Sequence, residues 1–221
     1  MAKFEIKDKE IEREIFGENV YQVKSEMIKD GSVVLDIGAN EGIFCAYIAG
    51  IAQEKNVSGA RVVAVEASPI NIITLRENLK AYKDISEKCS FDIIQAAAFD
   101  TSNEIVSFVQ DERSGSSRVW EQGAFQVSTI SLNDLLKPFC KVDICKIDIE
   151  GSEYDLFLGA SIQTLQKVLY FTIETHSVGS ISDEQKIIDI ANKLADAGFL
   201  VKHCGVPKRG GYLYATNTKK S

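Results

Sequence analysis

Residues 33–42 read VVLDIGANEG, and this stretch decides the fold of the chain. Its first five residues form a short apolar run with a single acid, which is typical of a parallel strand buried on both faces. Gly38 permits a tight turn after that strand, and Gly42 lets the next helix approach the sheet closely. The stretch therefore predicts the first strand, turn and helix of a doubly wound α/β sheet.

Strand and helix patterns alternate along the rest of the chain. The last two predicted strands are joined by a short turn and must be antiparallel. The prediction is a Rossmann-like α/β fold with a mostly parallel seven-stranded sheet that ends in a C-terminal antiparallel hairpin. The strands are expected at 32–38, 61–66, 91–99, 142–149, 168–176, 199–205 and 211–217, and the helices at 42–55, 69–82, 131–137, 152–166 and 183–197.

Two regions depart from this alternation within one predicted domain, residues 1–221. The N-terminal segment 1–30 has apolar residues at helical spacing over 8–29, with breaks expected at Gly17 and Asn19. Residues 104–130 predict a β-hairpin insert, IVSFVQ and FQVSTIS, around a polar loop.

Composition and charge exclude several classes of protein. The formal net charge of -7 argues against a nucleic-acid partner on electrostatic grounds. No apolar run is long enough to span a bilayer, and the charged N-terminus is not a signal peptide, so we expect a cytoplasmic protein without a membrane partner. The five scattered cysteines are expected to be reduced core thiols, and with two histidines a structural zinc site is not expected.

The turn after the first strand indicates the ligand. It lacks the GxGxxG pattern that cradles a pyrophosphate, and Asp36 precedes its first glycine. An acid here suits the cationic ammonium and sulfonium of S-adenosylmethionine better than a diphosphate. Asp36 is expected to orient the ammonium directly or through water, and Asn40 to bind the carboxylate.

The ends of the second and third strands complete the predicted cofactor site. Glu66 is placed to accept hydrogen bonds from both ribose hydroxyls. The small residues before Asp100 are expected to leave room for adenine, and Asp100 to accept from its amine. The predicted cofactor contacts are Asp36, Gly38, Ala39, Asn40, Gly42, Glu66, Ala67, Ala98, Asp100 and Asp148.

At these residues the sequence resembles the FkbM family of S-adenosylmethionine-dependent methyltransferases. The resemblance covers roughly residues 30–175, including 33–42, 62–82 and 128–136, and is most specific in KIDIEGSEYDLFLGA at 146–160. It implies O-methylation of a hydroxyl on a sugar or other small molecule. The sequence departs from the family in reading Glu-Ala-Ser-Pro after the second strand, and in having Glu41 at a position that is often apolar.

The expected catalytic residues follow the fourth and fifth strands. Asp148 and Glu150 are two residues apart at the end of the predicted strand 142–149, and with the alternation of a strand their side chains should share one side with Lys146. Burying Lys146 together with these two acids would require at least one ion pair among them. His176 at the next strand end is a candidate base or substrate ligand. Asp148, Glu150, Glu174 and His176 have the ligand types for Mg²⁺, but no spacing demands a metal and none is predicted.

The acceptor and two alternative functions stay open. The insert tip at 111–118 and Trp120 beside it are expected to help select the acceptor, because small polar donors and an aromatic face suit a sugar. One alternative is an RNA methyltransferase on the same fold. The other is a non-catalytic nucleotide-binding protein, which the acids at the strand ends argue against.

Overall fold

The computed structural model describes residues 9–85, 87–110, 117–119, 125–176, 183–206 and 210–219. Its strands are β1 (Val33–Ile37), β2 (Ala60–Glu66), β3 (Cys89–Gln95), β4 (Ala97–Phe99), β5 (Ile105–Gln110), β6 (Ser117–Val119), β7 (Phe125–Ser131), β8 (Val142–Ile147), β9 (Val168–Thr175), β10 (Phe199–Val206) and β11 (Gly210–Asn217). Its helices are α1 (Lys9–Glu12), α2 (Ile43–Glu54), α3 (Asn71–Ile85), α4 (Leu132–Leu136), α5 (Glu153–Gly159), α6 (Ile162–Leu165) and α7 (Asp183–Asp196), with a π-helical turn at Arg13–Glu18 and a 3₁₀ turn at Ser25–Met27.

A seven-stranded sheet in the order β10-β11-β9-β8-β1-β2-β3 forms the centre of the fold. Among the strands of this sheet, β11 alone runs in the opposite direction to the others, as the C-terminal hairpin predicts. Leu35 and Ile37 of β1 pack into the core on one face, and Val34 packs into the core on the other. Burial on both faces explains the continuous apolar run of β1, and the predicted α/β sheet is confirmed.

The predicted third strand, 91–99, is wrong as a single strand. It divides at Ala96 into β3, which stays in the large sheet, and β4, which pairs in parallel with β7 in a smaller sheet of order β4-β7-β5-β6. Ala97 is buried against Val127 of β7, and this packing draws the strand away from β2. The hairpin strands of the insert therefore belong to a four-stranded sheet.

Within the insert, β5 and β7 pair antiparallel as a hairpin requires. Residues 111–116 and Trp120, on which the expected acceptor selection depends, lie outside the described residues.

The predicted helix 152–166 also divides, into α5 and α6. Ser161 starts the second part because its hydroxyl accepts a hydrogen bond from the backbone N–H of Thr164, as an N-cap does. No helix in the described ranges is both long and apolar enough to cross a membrane.

The N-terminal segment contains shorter helical turns than the spacing predicts. Asn19 ends the π-helical turn in a left-handed conformation with φ of 48°. Its side chain donates to the carbonyl of Val23 and accepts from the N–H of Val23. These bonds close a tight loop over residues 19–23, called the Tyr21 loop below, which lies beside the carboxyl ends of β8 and β9.

Candidate functional site

The turn between β1 and α2 requires glycine at two positions. Gly38 has φ of +82°, and a Cβ there would lie 1.7 Å from the carbonyl oxygen of Asp148. Gly42 has φ of +87°, and a Cβ there would lie 2.7 Å from the side chain of Leu75. Because neither contact leaves room for a side chain, this turn packs directly against the end of β8 and against α3.

Glu66, the last residue of β2, has its carboxylate fixed by backbone donors. One oxygen accepts from the N–H of Asn40 and the other from the N–H of Ser68, each at 2.8 Å. Burial raises the pKa of Glu66, and the two backbone hydrogen bonds act against that rise. The side chain is therefore an oriented acceptor with lone pairs left for a ligand.

An open cavity of about 620 Å³, including the part that opens to solvent, lies over the carboxyl ends of β1, β2 and β8. This is where a doubly wound sheet binds its ligand. The cavity is lined by Ile37, Gly38, Asn40, Val65, Glu66, Ala67, Asn71, Ala96, Ala97, Ala98, Asp148, Ile149, Glu150 and Ser152.

The cavity brings together most of the predicted cofactor contacts, but not all of them. Five predicted site residues do not line it, namely Asp36, Ala39, Gly42, Asp100 and His176. The sequence interpretation missed Asn71 and Ser152, which line the cavity from the start of α3 and the residue before α5. Their positions at helix starts beside the strand ends are the signal that could have identified them.

Asp36 lies beneath the site rather than in it. Its side chain has no exposed surface, and its carboxylate accepts from the Cys45 thiol at 3.1 Å and lies 3.2 Å from Lys146 Nζ. Burial raises its pKa, and the charge of Lys146 opposes that rise. A direct contact between Asp36 and a ligand in the cavity does not fit this arrangement.

Lys146 of β8 connects the buried acid with the site. Its Nζ donates to the carbonyl of Gly38 at 2.7 Å and lies 3.4 Å from Asp148 Oδ2. Burial disfavours the charged amine, but the carboxylates of Asp36 and Asp148 outweigh burial and raise the pKa of Lys146. The lysine is therefore a permanent cation that holds Asp148 beside the glycine turn.

Asp148 and Glu150 follow β8 rather than lying on it, because the strand ends at Ile147. The predicted strand 142–149 is therefore too long. The prediction that Glu150 continues the alternation of that strand is wrong, because its φ of 55° is left-handed. Both residues nevertheless line the cavity.

His176, directly after β9, lies among four carboxylates. Its Nδ1 is 2.9 Å from Glu153 Oε1, and its Nε2 is 3.6–3.8 Å from oxygens of Asp148, Glu150 and Glu174. Burial disfavours the charged ring, but the hydrogen bond and charge of Glu153 and the other acids raise the pKa of His176 to about 10. The imidazole is a cation near neutral pH and has no free site to accept a proton.

Two of the four acids around His176, Asp148 and Glu174, have opposite pKa shifts. Burial acts against ionisation of Asp148, but Lys146, His176 and a hydroxyl donor lower its pKa below the usual value. Burial and the charge of Asp148 raise the pKa of Glu174 to about 7. Glu174 is therefore the acid whose proton exchanges near neutral pH.

Ligand atoms of Asp148, Glu174 and His176 lie within 4.8 Å of one another, a spacing that a divalent cation could bridge. Lys146 and His176 already supply positive charge to these acids, so we assign no metal to the group.

Comparison with known proteins identifies the family. Residues 36–201 match the family model described as the methyltransferase FkbM domain. The chain is 25% identical to ribosomal RNA large subunit methyltransferase E of Bdellovibrio bacteriovorus, over 82% of this chain and 90% of that protein. It is 26% identical to AMB antimetabolite synthetase AmbE of Pseudomonas aeruginosa, over 74% of this chain but only 9% of the synthetase.

The crystal structure of methyltransferase FkbM from Methylobacillus flagellatus has the same fold, with a TM-score of 0.58 at 17% identity. The alignment covers 88% of this chain and 45% of that one, so the present chain spans less than half of that neighbour. The family match confirms the predicted enzyme class, a methyltransferase, and S-adenosylmethionine as its cofactor. The chain belongs to the family of FkbM methyltransferase domains.

Proposed function

We propose that this domain methylates a hydroxyl group of a sugar or another small molecule. The observation that carries the proposal is one cavity lined both by Glu66 and by Asp148 and Glu150. Glu66 offers an oriented acceptor for a nucleoside, while Asp148 and Glu150 lie two strands away across β1. A cofactor and an acceptor can thus meet over the ends of neighbouring strands.

The residues on the β2 side fit S-adenosylmethionine. The two oxygens of Glu66 suit the two ribose hydroxyls, because backbone N–H groups already fix the carboxylate. Ala67, Ala97 and Ala98 leave space for a flat base beside it. Asn40 lines the cavity near the glycine turn, where a role in binding the methionine carboxylate remains our prediction. Bound there, the cofactor supplies a methyl group on a positively charged sulfur.

The residues after β8 and β9 fit the acceptor side. Asp148, ionised by its cationic neighbours, accepts the hydrogen bond of the acceptor hydroxyl and turns an oxygen lone pair towards the methyl group. His176 balances the charge of Asp148 and Glu150 and fixes their positions. The acceptor hydroxyl releases its proton to these acids, and Glu174 takes it up because its pKa is about 7.

A product-release assay tests the proposal. Purified protein with S-adenosylmethionine and a panel of sugars and polyketide-like alcohols should release S-adenosylhomocysteine with at least one acceptor. Asp148→Asn should reduce turnover by about 10²–10⁴-fold while cofactor affinity stays within a few-fold. Failure of S-adenosylmethionine to bind by calorimetry would overturn the proposal.

RNA methylation is a second candidate, favoured by the 25% identity to the ribosomal RNA enzyme. The net charge of -7 and the acids around His176 repel the phosphate backbone of RNA and so disfavour RNA binding. Incubating the protein with total RNA and methyl-labelled S-adenosylmethionine distinguishes the two. Label in RNA at physiological salt would favour this second candidate over a small-molecule acceptor.

A further inference from the structure

A tyrosine from the N-terminal segment reaches the candidate catalytic acids. The hydroxyl of Tyr21 donates to Asp148 Oδ2 at 3.0 Å and lies 3.5 Å from Glu174 Oε2. Tyr21 precedes the family match, which begins at residue 36, so the shared family region does not provide this contact. The side chain is buried, with 6% of the residue exposed.

The Tyr21 loop is held in place on both sides of this tyrosine. The hydroxyl of Tyr170, from β9, donates to the carbonyl of Tyr21 at 3.2 Å. The hydroxyl of Tyr214, from β11, donates to the carbonyl of Val20. Together with the two bonds between Asn19 and Val23, these contacts specify where the loop sits on the sheet.

The ring and the hydroxyl of Tyr21 have separate contacts. The ring packs edge-on against Phe44 and Tyr212, and Lys146 Nζ lies 5.4 Å from its centre. A phenylalanine would make all of these contacts. Among the described residues the hydroxyl adds only the contacts to Asp148 and Glu174, so packing alone does not account for a tyrosine at this position.

We infer that Tyr21 is a positioning residue for the methyl-transfer site, acting by holding Asp148 and by separating it from Glu174. The inference rests on the proposed function, in which Asp148 receives the acceptor hydroxyl. A hydroxyl has one hydrogen to donate, and the shorter distance directs it to Asp148. That bond leaves Oδ1 of Asp148 facing His176, 3.7 Å from Nε2.

The charges around Asp148 determine how its pKa changes when the Tyr21 hydroxyl is removed. Lys146 and His176 stabilise its ionised form, while the charges of Glu174, Asp36 and Glu14 oppose it. Removing the hydroxyl removes one donor to the charged form and leaves Asp148 and Glu174 facing each other. Protonation of either acid then becomes easier, so the pKa values of both should rise.

The test compares Tyr21→Phe with wild type and with Tyr154→Phe, by following ¹³C-labelled carboxyl groups by NMR from pH 3 to 9. Tyr154→Phe is the matched control, because its hydroxyl donates to Asp189 of α7 rather than to the Tyr21 loop or to the two acids. Asp148→Asn and Glu174→Gln assign the two signals. We expect Tyr21→Phe to raise the pKa of Asp148 by about one unit or more, and that of Glu174 in the same direction. The control should move neither.

Unchanged titration of both acids in a folded Tyr21→Phe protein overturns the inference. If that variant does not fold, Tyr214→Phe replaces it, because it loosens the Tyr21 loop and keeps the Tyr21 hydroxyl. It should then raise the pKa of Asp148 by a smaller amount, and no rise would again overturn the inference. The measurement needs no acceptor. Failure of wild type to bind S-adenosylmethionine therefore overturns the proposed function separately.

Discussion

The Nδ1 atom of His176 lies 2.9 Å from Oε1 of Glu153, and the same oxygen accepts hydrogen bonds from the backbone of Ile149 and Gly151. One buried carboxylate therefore connects the end of β9 with the turn that follows β8. Since Ile149 and Glu150 line the cavity, the position of His176 and the shape of the cavity floor are coupled.

The first prediction concerns the charge on His176. Its folded-state pKa of about 10 exceeds the unfolded value near 6.5. Protonation therefore favours the folded state, and its contribution is complete below pH 6.5 and lost as the pH rises to 10. The free energy of unfolding of wild type relative to His176→Gln should fall over this range by a few kcal/mol.

Proton NMR gives an independent measurement of that pKa. The chain has two histidines, so His203→Gln assigns both ring signals. One should titrate far above 6.5 and disappear in His176→Gln. If both histidines titrate near 6.5, the assignment of a protonated His176 ring to the site is wrong.

The second prediction concerns cofactor affinity. In the proposed function Glu66 accepts two charged hydrogen bonds from the ribose, each worth about 1.5–3 kcal/mol, so Glu66→Ala should weaken binding of S-adenosylmethionine at least tenfold. Calorimetry measures this, with Glu77→Gln as the control because Glu77 is an exposed acid on α3. Equal affinities of the folded Glu66→Ala protein and the control would contradict the assigned role of Glu66.

The third prediction concerns the buried ion pair under the site. Lys146→Met leaves Asp36 without its cation at 0% exposure, which should cost about 3–5 kcal/mol of unfolding free energy. Adding Asp36→Asn should recover part of that loss, because the unpaired charge disappears. Denaturant unfolding of the single and double variants measures the coupling. Losses that simply add would mean that the two side chains do not interact.

The glycine turn and Glu66 could be predicted from the sequence because local chain geometry specifies them. A buried parallel strand followed by Gly38 and Gly42 restricts the turn to few backbone conformations. The next parallel strand, which Glu66 ends, stops at the same edge of the sheet. The resemblance to a known family added the expected reaction, O-methylation of a hydroxyl. These are features that depend on neighbours close in the chain.

What the sequence did not reveal depends on distant partners. Nothing within 91–99 marks the break at Ala96, because the cause is the edge of β7 some thirty residues later. The sequence predicts that Asp36 orients the ligand's ammonium directly or through water, but in the fold its carboxylate is fully buried beside Lys146 of β8. Tyr21 lies in a segment with only a weak helical pattern, and 127 residues separate it from Asp148.

The last prediction tests the close approach of the glycine turn to β8. In Gly38→Ala, the new methyl group would overlap the carbonyl of Asp148, and the left-handed φ adds strain, so the strand ends must separate. We expect a lower thermal midpoint and loss of S-adenosylmethionine binding in the same variant, because Asp148 and the turn line one cavity. Gly50→Ala is the matched control, since it lies within α2 with nothing within 4 Å of an added Cβ. It should stabilise the protein by about 0.8–1 kcal/mol and leave binding unchanged. Equal thermal midpoints for the two variants would show that the turn does not pack on β8.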